Sequence, residues 1–154
     1  MDLKIVDELK DLLEQDSTVH AMWIAGSVAE DNADELSDVD LWVDIDDNLD
    51  KQVLDKIEGF LKTKGNIDIN FSEGLTPPFT HVVYHLAHMN PLHFIEINLH
   101  SHSHKFGLFD SLRKIKVLFD KDDTLQFKPF DEAEYNKMLS ERKQFLTDKI
   151  KFGE

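Results

Sequence analysis

Residues 38–46 alternate without a break. Val39, Leu41, Val43 and Ile45 are apolar, and Asp38, Asp40, Trp42, Asp44 and Asp46 stand between them. A period of two sends successive side chains to opposite faces of a strand. One face of this strand is a continuous apolar stripe that must enter a core. The other carries four carboxylates and one indole. The chain must therefore build a sheet that is packed on one side and charge-bearing on the other.

The remaining sequence supplies the partners for such a strand. Val19–Ala25 is a short, mostly apolar run stopped by Gly26, which reads as a buried strand. Ile67, Ile69 and Phe71 alternate with Asp68 and Asn70. Residues 81–89 and 92–101 read as paired strands around Asn90-Pro91, and 114–120 as a further strand. Helical spacing runs over residues 3–14 and again over 47–64, where Val53, Leu54, Ile57, Phe60 and Leu61 form the stripe and Gly65 the stop. Residues 131–152 read as a charged, weakly apolar helix. The expected fold is α+β: a mixed β-sheet with helices packed on it, plus a C-terminal helix. The expected organisation is a catalytic domain over 1–130 and a C-terminal helix over 131–154. So poorly apolar a helix is expected to pack on a partner helical domain or on a second copy in a homodimer.

At 154 residues the chain has the length of one domain. Its 31 acidic residues outnumber its 17 basic ones, for a net charge of −14. Such a surface repels phosphate backbones and disfavours nucleic acid as a partner; a cationic small molecule or a basic protein suits it better. Cysteine is absent, so there is no disulfide framework, thiolate metal site or Cys nucleophile. The first fifteen residues carry charges throughout and do not read as a signal peptide, and no apolar run approaches the roughly 18 residues of a membrane span. A cytoplasmic location and no membrane partner are expected.

The chemistry concentrates at Gly26-Ser27 and Asp38-Val39-Asp40. Asp38 and Asp40 are two apart on a strand, so their carboxylates share a face at roughly 6 to 7 Å along the chain. They repel unless a cation sits between them. Mg²⁺ is the natural choice (Mn²⁺ the second), because it takes one or two carboxylates and fills its remaining positions with water and phosphate oxygens. Gly26 permits a tight turn and close backbone approach. Ser27 opens a short helix or turn whose hydroxyl and N–H groups suit a phosphate. A phosphate loop beside a divalent-metal pair equips a site for phosphoryl or nucleotidyl transfer.

Gly26-Ser27, ten intervening residues and then Asp38-Val39-Asp40, with Ser37 before the pair and Leu41 after it, resemble the signature of the nucleotidyltransferase superfamily with the DNA polymerase β-like catalytic fold. The small antibiotic-modifying and the minimal nucleotidyltransferases are most similar, and the resemblance extends over about residues 1–120. It implies a third carboxylate on a later strand. Glu96, in Phe94-Ile95-Glu96-Ile97, is favoured, and Asp68, in Ile67-Asp68-Ile69, is the runner-up; Asp is the commoner residue at this position.

The implied reaction is in-line attack of a hydroxyl on the α-phosphate of ATP or another nucleoside triphosphate, with release of pyrophosphate. Asp38, Asp40 and Glu96 hold metal, Glu96 also serves as base, and Gly26 and Ser27 hold phosphates. The expected acceptor is a small molecule, with a cationic antibiotic such as an aminoglycoside matching the charge. The alternatives are a protein-modifying antitoxin of a toxin–antitoxin pair and a non-catalytic nucleotide-binding module.

Seven of the 8 histidines fall between His81 and His104. His100, His102 and His104 share the parity of Glu96, and an even-length hairpin loop sets His85 opposite or diagonal to it. A transition-metal site and ordinary polar strand-face histidines are both open readings. His85 and Trp42 are the auxiliary candidates: His85 as a base or substrate-orienting group, Trp42 stacked on a base or packed on a helix. Lys114 and Lys116 read as solvated strand-edge lysines. Asp44, Asp46 and Asp47 either attract a polycationic acceptor or are simply solvated.

Overall fold

A computed structural model describes residues 3–30, 32, 37–72, 74–104, 108–109, 114–128 and 131–152. The elements in chain order are α1 (Leu3–Glu14), β1 (Val19–Ala25), α2 (Gly26–Ala29), β2 (Val39–Ile45), α3 (Asp50–Lys64), β3 (Ile67–Ser72), β4 (Phe79–Leu86), β5 (Ile95–Ser101), β6 (Leu108–Phe109), β7 (Lys116–Asp120), β8 (Phe127–Lys128) and α4 (Glu132–Phe152). The expected α+β architecture is present: a mixed six-stranded sheet with helices, and a C-terminal helix. Its strand order is β3-β4-β5-β2-β1-β7. β2 and β5 run parallel, and every other neighbouring pair is antiparallel.

The alternation in β2 does what period-two patterning requires. Val39, Leu41, Val43 and Ile45 are buried against Ile95, Ile97 and Leu99 of β5, Val82, Tyr84 and Leu86 of β4, and Met22 and Ile24 of β1. Leu9 and Leu13 of α1 and Val53, Ile57 and Leu61 of α3 close over this face. The apolar stripes of α1 and α3 repeat at three and four residues and bury one side of each helix. α3 begins at Asp50, a buried acid in the positive first turn; Thr80 Oγ1 of β4 donates to its Oδ1 at 2.6 Å. That bond ties the start of the helix to the sheet.

Four differences from the expected elements have local causes. α3 starts at Asp50 rather than at 47, because Asp47 is used outside the helix, its Oδ1 accepting from the Ser103 N–H at 3.0 Å. β4 starts at Phe79, before the expected 81, since Phe79 already pairs with His100. β5 starts at Ile95 rather than at 92, after a turn in which the His93 N–H donates to Asn90 O, and it ends at the expected Ser101, where His104 N–H donates to Ser101 O and turns the chain, so His100 alone among the late histidines extends the face of Glu96. β6 and β8 form a separate two-stranded parallel sheet; two residues are too few to show periodicity. In α4, Met138 and Leu139 are exposed.

Candidate active site

β1 and β5 flank β2, and their registers decide what meets what. Asp40 pairs with Ala25 on one side and with Glu96 on the other. Asp40 and Glu96 therefore stand side by side on the face opposite α1 and α3, about 4.8 Å apart at the backbone by ordinary strand spacing. Gly26 follows Ala25 directly, so the turn into α2 begins beside Asp40. Its φ of +68° lies in the left-handed region that favours glycine. A Cβ on Gly26 would stand 3.7 Å from Asp40 Cβ and 3.8 Å from its Oδ2. The exposed Gly26, the half-buried Ser27, Asp38, Asp40 and Glu96 thus gather at one end of the parallel pair.

Each acid has a hydrogen-bond partner. Asp38 Oδ1 accepts from the Phe94 N–H at 2.7 Å, while the Val39 N–H donates to Phe94 O at 3.0 Å, pinning the entry to β5 against β2. Asp40 Oδ1 accepts from Asn98 Nδ2 at 2.7 Å. Glu96 Oε2 lies 3.3 Å from His81 Nε2. The donor set is all carboxylate oxygen, which suits a hard cation that brings its own water or phosphate oxygens. Among the described residues no three His, Asp or Glu side chains already form a cage for a metal ion. The donors fit Mg²⁺ shared with a phosphate ligand better than an ion held by protein alone.

Asp68 lies on β3, separated from β2 by β4 and β5. Three strand spacings, about 14 Å, keep it from Asp40. Its Oδ1 pairs instead with His85 Nδ1 at 2.6 Å, and His85 Nε2 donates to Asn90 O, 3.1 Å away. The His85 bond holds the Asp68 carboxyl below its usual range, and the Asp68 bond raises the imidazole in turn. His85 is diagonal to Glu96 in register, since Val83 is opposite, but it is turned to β3. The other diagonal position, His81, makes the contact with Glu96. Sequence reasoning placed His81 only within the histidine cluster, and it missed Asn98. The available signal for both was parity once Val83 is set opposite Glu96.

Trp42 is on the same face as Asp40, away from α1 and α3. It stacks on Trp23 with ring centroids 5.8 Å apart and meets the edge of Phe79 at 6.3 Å. His100 and His102 both face one acid. Asp44 is buried, with His102 Nδ1 3.1 Å from its Oδ2 and His100 Nδ1 3.8 Å from its Oδ1. Burial works to raise the Asp44 carboxyl, but the two imidazoles outweigh it and the net direction is down. His20 bridges Asp46 and Asp122 at 2.8 and 2.6 Å and stacks on His102. Asp44, Asp46 and Asp47 are thus engaged within the fold rather than forming an unpaired acidic rank. Lys114 and Lys116 are exposed, Lys116 on the edge strand β7.

The glycine turn and the paired acids stand together on one face of a mixed sheet. The model of the polymerase β nucleotidyltransferase family matches residues 7–89, more than half of the chain, and the chain belongs to this family. The matched segment contains Gly26, Ser27, Asp38 and Asp40 and ends before Glu96, whose place rests on strand register. No curated protein matches the chain significantly.

Proposed function

We propose that this nucleotidyltransferase domain moves a nucleoside monophosphate from ATP or another nucleoside triphosphate to a hydroxyl of a small molecule. The observation that carries the reading is the pairing of Asp40 with Glu96 across parallel strands, with the Gly26 turn against Asp40. Asp38, Asp40 and Glu96 are the residues that would hold Mg²⁺, which when bound supplies charge neutralisation at the phosphates. Gly26 lets the backbone come close to the triphosphate, and the Ser27 hydroxyl and neighbouring N–H groups bind its β- and γ-phosphates. Glu96 takes the proton of the acceptor hydroxyl. The hydroxyl oxygen bonds to the α-phosphorus, the bond from that phosphorus to its bridging oxygen breaks, and pyrophosphate leaves.

The net charge of −14 favours a cationic acceptor such as an aminoglycoside over a nucleic acid. The experiment is pyrophosphate release with Mg²⁺, each common ribonucleoside triphosphate and a panel of aminoglycosides and neutral polyols. Release with an aminoglycoside supports the reading. Release only with a protein substrate moves the acceptor to the protein-modifying class, and no release with any acceptor contradicts an active transferase.

A further inference from the structure

We propose that Asn98 is the positioning residue for Asp40, fixing the carboxylate so that its second oxygen lies toward the Gly26 turn where metal and phosphate meet. The inference rests on the nucleotidyl-transfer reading and adds to it a residue that neither the sequence signature nor the family match includes.

Asn98 follows Glu96 by two residues on β5 and shares its face. Its register partner on β2 is Trp42, and on β4 it is His81. It nevertheless reaches back one row. Asn98 Nδ2 is 2.7 Å from Asp40 Oδ1 and 3.4 Å from the Leu41 carbonyl oxygen. Both neighbours are acceptors, so only the amide nitrogen satisfies them. A flipped amide would set its oxygen against two oxygens, which decides the orientation. One side chain thus clamps two consecutive residues of β2.

The consequence falls on Asp40. With Oδ1 held by the amide, Oδ2 is the oxygen beside Gly26, 3.8 Å from where a Cβ on that glycine would stand. An aspartate has few rotamers, and a 2.7 Å bond to one oxygen selects among them. The choice of an amide also has a reason. A lysine at this position would neutralise Asp40 and weaken its pull on a cation. An aspartate would repel it. An amide orients without adding charge, as residues behind metal ligands commonly do.

The test compares the full chain with Asn98→Leu, which keeps the size and removes the donor. Calorimetry follows the binding of each common ribonucleoside triphosphate as Mg²⁺ is raised, and urea unfolding is followed alongside. The expected result is a rise of about tenfold or more in the Mg²⁺ needed for half-maximal binding, the scale of losses behind metal ligands. In turnover, the Mg²⁺ requirement should rise by a larger factor than kcat falls. A residue with a merely structural role would move the urea midpoint and leave the Mg²⁺ requirement alone. Asn98→Ala serves as the second variant if Asn98→Leu does not fold. An unchanged Mg²⁺ requirement in a folded variant overturns the role of Asn98 while leaving the transferase reading standing. Absence of Mg²⁺-dependent binding by the unaltered protein overturns both.

Discussion

Asp40 of β2 and Glu96 of β5 are register partners across a parallel strand pair. The chain makes the whole excursion through α3, β3 and β4 between them, so nothing local brings them together. They meet because the apolar faces of β2 and β5 belong to one core, with Leu41 and Ile97 both fully buried directly after the two acids. Packing on one face of the sheet thereby fixes a carboxylate pair on the other. Like charges at this separation are unfavourable in isolation, so the pair is a feature that a bound cation relieves.

Removing either charge should separate function from folding. Asp40→Asn and Glu96→Gln keep shape and lose the carboxylate. Both should lower pyrophosphate release by at least about 100-fold, as expected when a group that binds metal or moves the proton is lost. Neither should lower the thermal midpoint, because each relieves repulsion. Wild-type turnover in either variant would remove that residue from the site.

Gly26→Ala tests the turn. The Cβ meets Asp40 only at ordinary contact distance, so crowding is not the main cost. A φ of +68° is, at about 1 to 2 kcal/mol for a residue with a side chain. The variant should fold with a lower melting temperature and bind triphosphate more weakly. Unchanged binding would show that the phosphates do not depend on this turn.

The Asp50–Thr80 bond predicts a stability effect remote from the site. Thr80→Val is nearly isosteric and withdraws the donor from a buried carboxylate. The loss should be about 1 to 3 kcal/mol in urea unfolding, with triphosphate affinity unchanged. A loss below a few tenths would mean that Asp50 finds another donor.

Asp16 predicts the acid limb of the stability profile. Burial raises its carboxyl, but the Lys56 ammonium and the Thr18 N–H and hydroxyl outweigh this and bring it to about 2. A depressed folded value gives stability that is present above the unfolded value near 3.8 and is lost as pH falls toward 2. The contribution is of the order of 2 kcal/mol. Urea midpoints from pH 5 to pH 2 should fall less steeply in Asp16→Asn than in the unaltered chain. His20 acts in the opposite sense. Burial lowers its imidazole, but Asp122 and Asp46 outweigh that and raise it. Its stabilisation is present below about 6.5 and fades as pH rises through the raised value.

Much of this was legible in sequence because it is local. Alternation assigned every side chain of β2 to its face, and helical spacing gave α1 its bounds at 3 and 14. Gly26-Ser27 and the acid pair were visible as residues at a fixed spacing. Partnership was harder, because periodicity tells which face a residue takes and not which strand lies beside it. Glu96 over Asp68 depended on a resemblance until the strand order separated Asp68 from β2. His85 was expected near Glu96, but the hairpin register, which a loop of unknown geometry left open, sets His81 there instead. The pairing of Asp44 with His100 follows only from the parallel register of β2 and β5, which a sequence read strand by strand does not contain.

Asp38, Asp40 and Glu96 are proposed as one metal-binding site beside the Gly26 turn. The most direct measurement is a crystal structure of the unaltered chain with Mn²⁺ and a non-hydrolysable triphosphate, with the metal located by its anomalous signal. The expected result is an anomalous peak bounded by the three carboxylates, with the β- and γ-phosphates against Gly26 and Ser27. A triphosphate bound elsewhere, or a peak at the histidines around Asp44 and none at Asp40, would contradict it.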